Sequence, residues 1–538
     1  MSLIVRGGMV YDPHNGLHGE RKDIFISHDS IVEECDGDVI DARGLVVMPA
    51  GICIHTHIAG NKVDYGRMMR PEDHRRYFEK KTNVTRSGVG YSVPTTFLTG
   101  YRYARMGYTT AFEAACPPLG ARHAHEELAD TPIVDKGIYT LFGNNYFVFK
   151  YIQNEEQENL YNFVSWLLGV TKSYTVKVVN PGGVEMWKWG KNVSSIDDPI
   201  ENYNITPREI IENLVEVVEK RRLPHSVHLH CNNLGQPGNY STTLDTLKAV
   251  RGRRLHLTHL QFHSYGGEDW EDFESEAPRL MKYINGHKNI TFDVGQIIFG
   301  DTTTMTADGP LQYNLYKETG HKWMNLDVEM ETGAGVVPYN FNPKNMVNAI
   351  QWAIGLELFL MARDLERICL TTDHPNGGPF HFYPKIISWL MSRKTRNEEM
   401  ARIHKKARER TSIESLTREY SLSEIVTLTR LAPSRILGLS RKGHLGVGAE
   451  ADVAIYDFCE DRIEESFSRA RYVVKGGKIV VKDGEVVSHA DGKTYMADAK
   501  GEETDHIRET FKKYYTVSLS NFIIQDKEIA RPEVVPCG

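Results

Sequence analysis

The run GICIHTHIAG, residues 51–60, sets two histidines one residue apart at the end of an apolar stretch, LVVMPAGICI. Side chains alternate across an extended strand, so His55 and His57 share one face and Thr56 takes the other. Two imidazoles converging at a rigid strand end are suitable nitrogen ligands for a zinc ion. Alone, the pair reads as readily as a hydrogen-bonded or surface feature, since the chain has 22 histidines. Other residues change that reading. Lys177 lies in SYTVKVVNPGG, a β-branched run where an unpaired ammonium is costly to bury. His228 and His230 share a face in SVHLHCNN, His256 and His259 lie in LHLTHLQFH, and Asp373 follows ICLTT in TTDHPNGGPF.

Each residue has a plain structural explanation by itself: a snorkelling lysine, a satisfied core histidine, a turn aspartate. Together they supply four histidines, a lysine and an aspartate, enough for two metal ions bridged by a carbamate on the lysine. CO2 added to Lys177 makes an anionic oxygen ligand and removes the buried cation. Two ions roughly 3.5–4 Å apart lower the pKa of a shared water and polarise a carbonyl. Asp373 is suited to hold one ion, take a proton and deliver it to a leaving amine. The expected reaction is addition of water to an amide carbonyl, or its reverse.

These residues recur at the ends of short β-branched runs separated by helical patterns. One such pattern is TPREIIENLVEVVEKRR, with Thr206 as N-cap and Pro207 in the first turn. Repeated strand and helix predicts a TIM-like (β/α)8 barrel, which places its active site at the carboxyl ends of its strands. Residues 1–50 and 431–490 read instead as short strands broken by Gly, Asp and Asn, and predict one composite β-sandwich made from both parts. The barrel is expected over 51–430. Residues 491–538 are polar and weakly periodic and read as an extended C-terminal extension packed on the rest.

With 41% hydrophobic and 25% charged residues the chain can bury a large core. A net charge of −7 without a basic block argues against nucleic acid as a partner. Seven scattered cysteines with no CxxC pair argue against a disulfide framework, a cysteine zinc knuckle and a ferredoxin cluster. Neither a signal peptide nor an 18-residue apolar run is apparent, so a cytoplasmic setting without a membrane is expected.

The order HxH, Lys, His, His, Asp in a barrel, with VYDPHNG at the start and GHLGVGAEADVAIYD near the end, resembles the amidohydrolase superfamily. In its cyclic-amidase branch the fifth-strand ligand precedes a small residue and a polar one. His230-Cys231-Asn232 matches that pattern, which favours His230 over His228; THLQ likewise favours His259 over His256. Longer blocks such as HIAGNKVDYGRMMRPEDHRR, VKVVNPGGVEMWKWG, HLHCNNLGQPGNYSTTLDT and TTDHPNGGPFHFYPKIISWLMSR are similar to the A-type subunits of formylmethanofuran dehydrogenase and of the bacterial formyltransferase/hydrolase complex. The similarity spans at least residues 1–490.

That resemblance implies a dinuclear metal hydrolase, zinc by preference, that interconverts formylmethanofuran with formate and methanofuran. His55, His57, a carboxylated Lys177, His230, His259 and Asp373 would hold the metals, with Asp373 also the acid/base. Methanofuran would be the formyl carrier, and the other members of such a multi-subunit complex would be partners, any redox step belonging to them. Asn232, Asn233, His263, Tyr265 and Asn376 neighbour the ligands and are candidates to bind formate or the amide, or to orient a ligand histidine. Arg67 and Arg70 are candidates to hold carboxylates on the carrier, with a surface ion-pair cluster as the alternative. DTTTMTADG, residues 301–309, is expected to be a loop over the pocket. Rival readings are a cyclic amidase of the dihydropyrimidinase or hydantoinase type and a non-catalytic scaffold protein of the same fold. The reaction direction and the metal stay open at this point.

Overall fold

The structure is a computed structural model that describes residues 2–325 and 335–538. Eight parallel strands form its centre. They are β1 (Gly51–Thr56), β2 (Tyr108–Cys116), β3 (Asp135–Leu141), β4 (Thr175–Val179), β5 (Val227–His230), β6 (Leu255–Leu257), β7 (Ile290–Asp293) and β8 (Ile368–Cys369). Each pairs in parallel with the next. A parallel bridge between Thr56 and His374 joins the last strand region back to β1, nearly closing the barrel. Every residue of β4 is buried, Lys177 included, as a strand covered on both faces requires.

The helices cover this sheet through apolar stripes. α1 (Asn61–Met69) follows β1. α2 (Pro207–Lys220) starts with a capping box, in which Thr206 accepts from the Glu209 backbone and the Glu209 side chain accepts from the Thr206 backbone. Its Ile210, Ile211, Leu214, Val217 and Val218 are buried.

Residues 301–309 do line the cavity, through Thr304, Thr306 and Ala307, but they are not a simple loop. Gly300–Thr306 is a strand paired antiparallel with Gly335–Phe341, and α3 (Gly309–Thr319) follows it. Threonines suit a pleated strand, and a hydroxyl-rich sequence with no apolar alternation hides that preference.

Strands from both ends of the chain form one nine-stranded sheet, joined where Val453–Tyr456 runs antiparallel to Val46–Pro49. α4 (Ala432–Leu437) leads into it from the barrel. The junction is a buried ion cluster: Lys442 Nζ lies 2.6 Å from Asp135 at the start of β3 and 2.7 Å from Asp452, and Lys475 pairs with the same two carboxylates. The C-terminal segment is more ordered than its polarity suggests. Thr494–Ala497 joins the barrel sheet beside β3, and α5 (Asp505–Tyr514) buries Ile507 and Phe511. Tyr514 stacks on Tyr146 at 3.5 Å. Apolar residues at 507, 511 and 515 make a narrow stripe on an otherwise charged helix. Among the described residues no helix is long and apolar enough to cross a membrane.

Candidate metal centre

Six side chains meet at the carboxyl ends of β1, β4, β5, β6 and β8. His55 Nε2 is 2.9 Å from Asp373 Oδ1, and His57 Nε2 is 3.2 Å from the same oxygen. His55, His259 and Asp373 each present a ligand atom within 4.8 Å of the others. All three are buried, and among the described residues His55 Nε2, His259 Nδ1 and Asp373 Oδ1 have no hydrogen-bond partner. Lone pairs brought together without donors between them fit a cation, and His, carboxylate and carbamate donors fit zinc or another borderline divalent ion. His259 and Asp373 hold positive φ values, 37° and 50°, in the left-handed region that non-glycine residues seldom occupy. Such strain clusters at functional sites.

Lys177 enters from β4. Its Nζ is buried, and the hydrogen bond it makes is a long one, 3.4 Å to Thr258 Oγ1. Burial lowers its pKa to about 7, against the pull of Asp293 and Asp373. A large share of the amine is therefore neutral near pH 7, the form that adds CO2. Burial also holds His228 and His259 well below the ordinary imidazole value, which leaves them uncharged. On Asp373 burial opposes the charge, but its surroundings, with the His55 and His57 ring nitrogens 2.9 and 3.2 Å from Oδ1, outweigh it and hold the carboxyl well below its usual range.

The amidohydrolase family profile matches residues 38–481. The chain belongs to the amidohydrolase family. Protein FwdA of Methanocaldococcus jannaschii is 49% identical over 553 residues, covering 98% of this chain and 97% of that one. The A component of the formyltransferase/hydrolase complex Fhc of Methylorubrum extorquens is 39% identical over 507 residues, 93% and 91% of the two chains. The crystal structure of the formyltransferase/hydrolase complex FhcABCD from Methylorubrum extorquens with methylofuran contains a chain that superposes with a TM-score of 0.94 at 38% identity, with 100% of both chains covered. D-aminoacylase, at 14% identity and a TM-score of 0.53 over 91% of this chain and 99% of that one, shares the fold.

Around these six side chains this amidohydrolase carries a layer of acids, Glu113, Asp293 and Asp308, that the reading of the sequence missed. His57 Nδ1 lies 3.1 Å from Glu113 Oε1, which also accepts from Lys62 Nζ at 2.8 Å. The other oxygen, Oε2, accepts from the backbone of Ile58 and Ala59 at 2.7 and 3.0 Å. Burial disfavours charge on Glu113, yet Lys62 and His57 outweigh it and keep the carboxyl ionised. His230 Nε2 faces Asp308 Oδ2 at 3.2 Å. Asp293 accepts from the His259 backbone at 3.0 Å and faces His256 Nε2 at 3.2 Å. Carboxylates behind ligand histidines fix ring orientation and raise ligand basicity. A lone Glu in YTTAFEAAC, a strand buried throughout, was the available signal for Glu113.

These six side chains floor a cavity of about 370 Å³. Lys62 and Asn376 also reach it, and its outer wall is formed by Phe262, Leu311, Leu315, Tyr339 and Phe341 among others. Of the residues expected to touch substrate, Asn376 lines this space. Asn232 instead donates to Asn180 Oδ1 and Pro181 O, and Asn233 donates to Ser194 O and Thr242 Oγ1. Tyr265 is buried with its hydroxyl accepting from Gln261 and Gln351. His263 lies behind the wall, its ring 5.3 Å from that of His259 and 5.4 Å from that of His230. Arg67 binds Asp64 and Glu127, and Arg70 is buried against Thr302 O and Thr303 Oγ1. Both side chains are engaged within the fold and away from the cavity, although Arg67 Nη2 and Arg70 Nε have no hydrogen-bond partner among the described residues.

Proposed function

We propose that this chain hydrolyses, and in the opposite direction forms, the N-formyl amide of a methanofuran-type carrier, releasing or consuming formate. The observation that carries it is Lys177: an amine buried beside four histidines and Asp373, with its pKa lowered to about 7 and, among the described residues, no carboxylate in hydrogen-bonding contact. Carboxylated, it would join His55, His57, His230, His259 and Asp373 in holding two divalent ions, zinc by preference. Bound there, the ions would activate water and polarise the formyl carbonyl.

The protein's own groups account for the proton transfers. Asp373 Oδ1, at the cavity floor beside His55 and His57, accepts the proton of water as its oxygen adds to the formyl carbon. It then gives that proton to the carrier nitrogen as the C–N bond breaks, leaving formate and the free amine. Glu113 and Asp308 hold His57 and His230 in place. The apolar and aromatic outer wall suits the organic body of a carrier.

The names of the similar proteins support this substrate and a place for the chain as the corresponding component of a multi-subunit assembly. Free cysteines throughout fit the cytoplasm. The test is elemental analysis and formate release from the formylated carrier, in the wild-type protein and in Lys177→Ala. Two divalent ions per chain and activity, both lost in the variant, are expected. Unchanged formate release in the variant would overturn the proposal, and turnover of cyclic amides alone would replace it with the cyclic-amidase reading.

A further inference from the structure

A file of buried histidines runs away from the metal centre, through positions the metal reading leaves unused. His225 Nδ1 is 2.9 Å from the backbone oxygen of Ile436 in α4. Its Nε2 is 3.0 Å from His228 Nδ1, and His228 Nε2 is 2.9 Å from His55 Nδ1. All three rings are fully buried.

We propose that this file, anchored on the Ile436 carbonyl, sets the tautomer of His55, making His225 and His228 positioning residues for the metal centre. The inference rests on the metal-site reading above. Its logic is directional. A carbonyl oxygen only accepts, so His225 Nδ1 carries the proton. A neutral imidazole then has a bare Nε2, which accepts from His228 Nδ1–H. His228 Nε2 is bare in turn and accepts from His55 Nδ1–H. His55 is left with its Nε2 lone pair facing Asp373 Oδ1, the arrangement a cation needs and a hydrogen bond cannot satisfy.

The reverse direction would place a proton on His55 Nε2, where a metal must bind. Asp293 Oδ2, 3.4 Å from His55 Nδ1, also accepts and favours the same tautomer, so the file and the carboxylate act together. The file's anchor lies in the helix that leads to the composite sheet. It therefore ties a ligand of the first barrel strand to the seating of a segment near residue 436.

The test uses the full-length protein and conservative pairs. A glutamine amide spaces its donor and acceptor much as an imidazole does, so His228→Gln and His225→Gln keep the direction of the file. His228→Leu and His225→Leu break it. The measurements are metal per chain after timed exposure to a chelator and kcat/KM, with thermal unfolding as a check on folding. Loss of an orienting partner typically costs 10–100-fold in metal affinity, so the leucine variants should lose metal about tenfold faster or more. The glutamine variants should stay within roughly threefold of wild type. Should His228→Leu fail to fold, the His225 pair, which does not touch His55, decides. Equal metal loss in the glutamine and leucine members, or wild-type retention in both, overturns the inference while leaving the metal site standing. A wild-type protein that holds no divalent ion overturns both.

Discussion

Gly295 lies against His259. A Cβ built on Gly295 would come within 2.5 Å of the His259 Cβ, and within 3.6 Å of the Asp373 Cβ. Gly295 also has a φ of +69°, which a side chain disfavours by about 1–2 kcal/mol. One glycine on the loop after β7 thus makes room for the proposed ligand His259, while the contact it would make with Asp373 is an ordinary one. Gly295→Ala should therefore displace His259 and weaken metal retention by about tenfold or more. Metal content after dialysis, compared with an alanine at the open Gly252, checks this; equal retention in both would refute it.

Asp373→Asn keeps the size of the side chain and removes its basicity. Formate release should fall by about 10²–10⁴-fold, the range for a positioned acid/base. A loss under tenfold with metals still bound would assign the proton transfer elsewhere.

Glu113→Gln removes the charge shared by His57 and Lys62. Retention of the metal at His57 should drop by about 10–100-fold, since the ring loses its anionic partner. Competition with a chromogenic chelator measures it, and wild-type retention would show that Glu113 serves Lys62 alone.

Lys177 predicts a pH dependence of the metal-free, uncarboxylated chain. Its native pKa is about 7, because burial disfavours the ammonium, whereas a free lysine titrates near 10.4. Between these values the unfolded chain binds a proton that the native one does not, so stability rises with pH across that window. Below about pH 7 both states are protonated and the full cost is present. Lys177→Met should therefore be more stable than wild type near pH 6, with the advantage shrinking towards pH 9. Thermal unfolding of both proteins across that range decides; a constant difference would contradict the lowered pKa.

Leu315 stands in the outer wall of the cavity, away from the ligands. Leu315→Trp should raise KM for the formylated carrier by about tenfold while leaving metal content intact, because it narrows the approach rather than the centre. A small N-formyl amine should suffer less. Equal losses on both substrates would place Leu315 outside the carrier's path.

The proposed ligands were visible in the sequence because each sits within or just after a short run whose composition marks a strand, Lys177 within TVKVV among them. The barrel was visible for the same reason, in the alternation of such runs with stripes like that of α2. The split β region showed in its turn residues, but its junction did not. Asp135, Lys442, Asp452 and Lys475 are distant in sequence and carry no mark of pairing until the sheets meet.

By itself, then, the sequence determined the residue types that could bind metal, the strands that end in them, and the family to which they belong. Strand periodicity and composition are local properties, and a chain of letters carries them in full. Only the tertiary structure decided which neighbours those residues keep. It gave His57 and His230 their carboxylates, engaged Arg67 and Arg70 within the fold, and set His228 against His55. A hydrogen bond depends on distance and direction across strands up to hundreds of residues apart, and only the folded chain fixes those.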